Sequence, residues 1–291
     1  MMEPSKSIGS EVSLMAMICR TPTLEDLPIL LEIESKSTPK LRYLADVQEE
    51  FFDPAYGEMI LCEEDGVAIG FAHLSRQYDG AAWLECLRVA PEHQKKGCGA
   101  LIWKKVLEIC ENWKAPALRM YTGATNYPSR VLGERNGLTV KLTTMEGVLP
   151  LENAPDVEAP AFQPVDCPVC AEKAMDKYAE GYQGYFCMNR TFYAMGEGLY
   201  TGLQQEDMIC KGDGFTVVLG ERFQPHLGLH LGLLGGDADA AARAAVSALK
   251  ASGRPKLVCM LPQDRTDLAA ALEKYGMVFP EARIIMLERK F

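Results

Sequence analysis

The chain has 291 residues, 48% hydrophobic and 24% charged, enough for about two domains, each with a sizeable core. Its formal net charge of −10, from 30 Lys+Arg against 40 Asp+Glu, excludes the broad basic face on which nucleic-acid binding depends. No apolar run approaches the ~20 residues of a membrane span, and the VSLMAMIC run near the start lacks the basic flank of a secretory signal. A cytoplasmic protein that binds neither nucleic acid nor membrane is expected.

Residues 1–16 read as an N-terminal extension. From Met17 the pattern is strand, helix, three strands, helix, strand, helix. Thr23 is placed as an N-cap with Asp26 as its capping-box partner, and Leu27, Leu30, Leu31, Ile33 and Glu34 follow at helical spacing. EMILCEEDGVAIGFAHL, 58–74, is a hairpin turning at Asp65-Gly66. AAWLECLRV, 81–89, is a further strand. Over 100–113 the apolar stripe is assigned to Leu101, Val106, Leu107, Cys110 and Trp113, opposite Lys104, Lys105, Glu108 and Glu111. ALRMYT, 117–122, is a strand, and 126–136 is a short helix closed by Asn136-Gly137. Five prolines, five acidic residues and no Lys or Arg between 146 and 170 mark a linker. Beyond it, strands are expected at 185–194, 214–221, 226–234, 256–261 and 282–290, and helices at 237–251 and 264–275.

Ten cysteines are scattered, several inside apolar runs, which suits reduced thiols. Cys167 and Cys170 form a CxxC to which Cys187 and Cys210 could add two zinc ligands, but the second CxxC that would make the spacing specific is missing, so no metal is expected. A thiol-based redox module centred on Cys167 and Cys170 is a minor alternative. His226 and His230 fall on one face of an expected strand, about 13 Å apart, too far to share an ion.

VAPEHQKKGCGA, 89–100, joins a strand to a helix. The first helical N–H groups there have no partners, the helix dipole adds positive character, Gly97 and Gly99 clear side chains away, and Lys95 and Lys96 add charge. An anion such as a pyrophosphate fits this composition. A dinucleotide fingerprint would need glycine where Ile102 stands, and a P-loop would need Gly-Lys-Ser/Thr.

The whole string LRVAPEHQKKGCGAL, 87–101, resembles the signature of the GNAT superfamily of N-acetyltransferases, with Gln94, Gly97 and Gly99 at the three specified positions of Q/R-x-x-G-x-G/A. The resemblance extends over 17–145 and includes NYPSRVLGERNGL at 126–138. It implies a mixed, mostly antiparallel central sheet flanked by helices (α/β, of α+β type). Acetyl-CoA is the implied co-substrate, held by Gln94, Lys95, Lys96, Gly97, Cys98, Gly99 and Ala100, by the main chain of Leu87 and Val89, and by Asn126. It implies direct attack of a primary amine, on a small molecule or a peptide, on the thioester. Glu85 matches the position where many members carry the base; alternation puts it with Trp83, Leu87 and Val89, partly buried with a raised pKa, and the competing role is a rim carboxylate paired with Arg88 or Arg119. Gly133 stands where the family's acidic tyrosine would be, so Tyr121 and Tyr127 become the candidate acids. Cys98 is read as a variable loop position, not a nucleophile. An acidic protein suits a cationic acceptor by steering.

The segment from 237 to the end repeats the order of the first domain's later half, and LEKYGM at 272–277 resembles the family's ending. The expected organisation is therefore tandem: 17–145 catalytic, 146–170 linker, and 171–291 a similar but degenerate domain. Asp237 and Asp239 replace the basic and amide residues of the phosphate loop and would repel a pyrophosphate, leaving the second domain to shape the acceptor pocket or an oligomer interface such as a homodimer. A CoA-binding sensor or scaffold without catalysis is the alternative function.

Overall fold

Strands buried on successive residues and helices with one apolar face assemble here around one large sheet, so helices and loops cover both of its faces. The computed structural model describes residues 17–291, and the extension expected over 1–16 lies outside them. The first part runs β1 (Met17–Arg20), α1 (Leu27–Ser37), α2 (Leu44–Phe52), β2 (Gly57–Glu64), β3 (Val67–Arg76), β4 (Ala82–Val89), α3 (Cys98–Trp113), β5 (Ala117–Gly123), α4 (Tyr127–Arg135) and β6 (Thr139–Pro150). The second runs β7 (Phe162–Pro164), α5 (Pro168–Met175), β8 (Tyr185–Met188), β9 (Thr191–Ala194), α6 (Glu197–Gln205), β10 (Ile209–Gly212), β11 (Phe215–Gly220), β12 (Leu229–Gly236), α7 (Ala238–Ser252), β13 (Lys256–Pro262), α8 (Thr266–Glu273) and β14 (Arg283–Lys290).

Twelve strands lie in the order β1-β2-β3-β4-β5-β14-β6-β13-β12-β11-β10-β7, with β8 and β9 as a separate hairpin. Among the described residues, only β4–β5 and β12–β13 pair in parallel. The mixed, mostly antiparallel sheet is as expected, but two separate sheets are not found. The last strand, β14, sits between β5 and β6, with Ile285 opposite both Thr122 and Thr143. β6 pairs on its other side with β13, from Thr144–Pro262 to Pro150–Lys256. Residues 146–150, expected to open the linker, are therefore strand. Their main-chain groups gain ladder partners from β13 that nothing local in the sequence announces.

Local chemistry explains most elements. Asp65 and Gly66 turn the β2–β3 hairpin with φ of 51° and 80°, the two left-handed residues a tight hairpin requires. Asp26 accepts from the Thr23 N–H at 2.7 Å, the expected capping contact, ahead of α1. α2 was not foreseen because its cap is tertiary: the Glu34 carboxylate, from α1, accepts from the N–H groups of Tyr43 and Leu44 at 3.2 and 3.3 Å. In α3 the buried face is Cys98, Ile102, Trp103, Val106, Ile109 and Cys110, so the stripe lies one residue round from the one expected, with Leu101, Leu107 and Trp113 at its margins. Each large apolar side chain buried there contributes about 1.5–3 kcal/mol. In α7, five buried alanines beside Val246 and Leu249 let the helix lie close on β11 and β12.

β4 carries the feature that decides the site. Phe71 pairs with Arg88 and His73 with Glu85, so β3 advances two residues while β4 advances three. The extra residue is a bulge at Cys86, whose φ is +55°. Beyond it the alternation changes phase. Leu87 and Val89 pack toward α3, whereas Glu85 stays with Trp83 on the opposite face, so the expected shared face of all four residues does not form.

Candidate active site

The turn between β4 and α3 has the features of an anion cradle. Lys95 has φ of +63° and Gly97 of +105°, and the first intrahelical donor is the Leu101 N–H, to the Gly97 carbonyl at 3.0 Å. The amides of Gly97, Cys98, Gly99 and Ala100 precede that first bond and are left as free donors. A Cβ at Gly97 would meet nothing within 4 Å, so the space before these amides is open. Lys95 and Lys96 are exposed and make no ion pair among the described residues. The exposed Gln94 side chain donates to the Val89 carbonyl at 3.1 Å, bracing the turn on the strand end. Cys98 is buried against Gly70, where an added Cβ would lie 2.7 Å from its sulfur, so it is a packing residue. Asn126 caps α4 through a Ser129 N–H contact of 3.4 Å.

Beside the cradle the sheet opens. β4 and β5 pair only from Ala82–Leu118 to Leu84–Met120. The main chain of Leu87 and Val89 therefore has no ladder partner on the β5 side, as an extended ligand lying between the strands would require.

Glu85 lies at the head of this opening, 7% exposed. Its carboxylate is within 3.2 Å of His73 Nδ1, accepts from the Ser75 hydroxyl, and sits 3.4 Å from Arg222. Burial alone would raise its pKa, but Arg222, His73 and Ser75 outweigh burial and hold it below the ordinary glutamate value. The raised pKa expected from the sequence is thus reversed, and the partner is neither Arg88 nor Arg119. Glu85 faces a cavity of about 180 Å³ that also contains Tyr121, Glu146, Arg190, His230 and Lys256. Tyr121 stacks on Trp83 with ring centroids 6.1 Å apart, and burial raises its pKa against the opposing pull of Arg190 and Arg88. Tyr127 is 66% exposed on the first turn of α4 and does not line this cavity.

The Acetyltransferase (GNAT) family matches residues 24–138. Solved structures extend the likeness over nearly the whole chain. A GCN5-related N-acetyltransferase from Sphaerobacter thermophilus superposes with a TM-score of 0.65 at 14% identity, covering 94% of this chain and 95% of the other. A putative acetyltransferase from Pyrococcus horikoshii gives 0.62 at 16%, over 94% and 89%. A tandem GNAT protein from the clavulanic acid biosynthesis pathway gives 0.62 at 14%, over 94% and 98%. No curated protein matches. The fold is that of the GNAT acetyltransferases.

Within this GNAT fold, Gly133 stands where the resemblance places a tyrosine and is closely packed: an added Cβ would lie 3.2 Å from Met120 Sδ and 3.5 Å from Leu287 Cδ2. The second half has no counterpart of the cradle. β12 enters α7 through Asp237 alone, whose carboxylate takes the Asp239 and Ala240 amides at 3.0 Å. β12 and β13 also separate after Leu231–Cys259, but the chain fills that gap itself. The buried Tyr182 hydroxyl donates to the Leu234 carbonyl at 3.0 Å and accepts from the Leu234 N–H at 2.8 Å.

The four candidate zinc cysteines are not gathered. Cys167 and Cys170 form a disulfide, against the expectation of reduced thiols throughout. Cys187 is buried with its sulfur 3.4 Å from that of Met260, and Cys210 lies on β10. His226 is in an exposed turn rather than on a strand, while His230, on β12, lines the active cavity. His230, Arg190, Arg222 and Lys256 were missed because no local pattern distinguishes them; β12 carries His230 to the cavity, β13 carries Lys256, and the turns after β8 and β11 carry Arg190 and Arg222. Among the described residues, no helix is long and apolar enough to cross a membrane.

Proposed function

We propose that the protein moves an acetyl group from acetyl-CoA to a primary amine by direct attack. The observation that carries this reading is the alignment of free amides at 97–100, the strand edge at Leu87 and Val89 without a ladder partner from β5, and a buried carboxylate facing a cavity at the head of the same opening. Acetyl-CoA supplies the thioester when bound. Gly97 to Ala100 hold its pyrophosphate through their amides, with Lys95 and Lys96 beside them. Glu85 is ionised at neutral pH, so it receives the acceptor ammonium and takes its proton, its carboxylate held in place by its contacts with His73 and Ser75. The amine nitrogen bonds to the acetyl carbon as the carbon–sulfur bond breaks. Tyr121, kept protonated by burial, gives its proton to the leaving sulfur and is restored by the second proton that the acylated nitrogen sheds, leaving the neutral amide and the free thiol. Tyr127, exposed and outside the cavity, has no support as the acid.

The arrangement is a tandem one: 17–145 carries the catalytic residues, and 171–291 is a degenerate copy. Two parallel pairs, β4–β5 and β12–β13, flank a shared centre of β14 and β6, which supports a duplication whose final strands are exchanged. The tandem GNAT protein with a similar fold points the same way. The second copy binds no CoA because Tyr182 occupies its strand edge.

The Arg222–Glu85 contact favours one rival, a CoA-binding sensor that does not turn over, since it occupies the base. Thiol release from acetyl-CoA over a panel of amines decides. Glu85→Gln should lower kcat by about 10²- to 10⁴-fold with little change in acetyl-CoA affinity. Tight acetyl-CoA binding with no turnover on any amine would establish the sensor instead.

A further inference from the structure

The charge of the cavity wall opposes the charge of the chain. Three cationic side chains, Arg190, Arg222 and Lys256, line it against two carboxylates, Glu85 and Glu146. Arg190 is engaged by Glu146 through contacts of 3.0 and 2.7 Å, and Arg222 by Glu85. Lys256 makes no ion pair among the described residues. Its stem passes Gly228 where β13 begins, with Cγ 3.2 Å from the position a Cβ there would take, and the residue lines the cavity wall. His230 registers the same positive field: burial, then Lys256 and Arg190, pull its pKa down to about 4, so the imidazole is neutral and free to hydrogen-bond.

An acceptor bearing only an ammonium would add a fourth cation to this wall. One that also carries a carboxylate adds no net charge and supplies the partner that Lys256 lacks. We propose that the acceptor is a small amino acid-like molecule, whose carboxylate is received by Lys256 and Arg190 while its primary amine is received by Glu85. The inference rests on the acetyltransferase reading and narrows its substrate class. The net negative charge of the chain favours cationic molecules during the approach to the protein. The wall of the cavity sets what is retained.

The experiment compares matched pairs on the full chain with CoA present: L-alanine and ethylamine, L-phenylalanine and phenethylamine, L-lysine and 1,5-diaminopentane. Binding is read by calorimetry and thiol release from acetyl-CoA is followed in parallel. At least one amino acid should bind tenfold or more tightly than its decarboxylated partner. Lys256→Met should erase that preference without altering CoA binding, and Lys256→Arg should preserve it. Equal or tighter binding of the amine in every pair, no binding of any amino acid, or a preference that survives in Lys256→Met overturns the inference. Carboxylate-dependent binding without thiol release overturns the acetyltransferase reading and leaves the carboxylate site standing. Efficient acetylation of the simple amines alone does the reverse.

Discussion

Replacing Arg119 by methionine tests whether the inserted last strand is locked by a buried ion pair. Arg119, on β5, donates to Glu288 of β14 at 2.8 Å and to Asp79 at 2.7 Å, and its third nitrogen reaches Gln77. The side chains of Arg119 and Glu288 are 4% and 1% exposed. Methionine removes every guanidinium contact and leaves Glu288 with only the Tyr185 hydroxyl, at 3.1 Å. Orphaning one partner of a buried pair costs about 3–5 kcal/mol. Asp79 is more exposed and adds little. With an m-value on the order of 3 kcal/mol/M in urea, the unfolding midpoint falls by about 1 M or more at unchanged slope. Replacing both residues, Arg119→Met with Glu288→Met, removes the orphaned charge and recovers most of the loss, because a buried pair exchanged for apolar residues of similar volume is often neutral. A midpoint shift below about 0.3 M for the single variant, or a double variant as unstable as the sum of the singles, would refute the reasoning.

Three further outcomes follow from the geometry. Arg222→Met removes the leading influence that keeps Glu85 ionised, so the Glu85 pKa rises; since a base works only when deprotonated, the acid limb of the kcat/KM profile should move to higher pH, and Arg222→Lys should move it less. Gly97→Ala forces a side chain into φ +105°, a strain of about 1–2 kcal/mol that should weaken acetyl-CoA binding by roughly 5- to 30-fold in a direct titration. Tyr182→Phe leaves the Leu234 N–H and carbonyl without their buried partner at about 1–3 kcal/mol per group, lowering thermal stability, while CoA stoichiometry stays at one per chain.

The turn proposed to hold the cofactor was legible in the sequence as a strand-to-helix turn because it is local. A strand, a turn with two glycines and a helix start are contiguous, and the free amides follow from where the helix begins. The hairpin at Asp65-Gly66 and the cap at Thr23 and Asp26 were legible for the same reason. The face of Glu85 relative to Leu87 and Val89 was not, since one extra residue at Cys86 inverts the alternation and a bulge leaves no composition signal. Nor was the direction of its pKa shift, which needs Arg222 from 137 positions away.

Sequence alone thus determined most of the strands, the helices α1, α3, α4, α7 and α8 and the glycine-bearing turn between β4 and α3, all products of short-range pattern and turn chemistry, but not α2, α5 or α6. Tertiary structure decided which strands meet. It placed β14 between β5 and β6 and β6 beside β13, because edge main-chain groups must find partners wherever the chain supplies them. That pairing joins the halves into one sheet. It also brings Arg190, Arg222, His230 and Lys256 to Glu85, so that the acceptor side of the site is a property of the assembled fold.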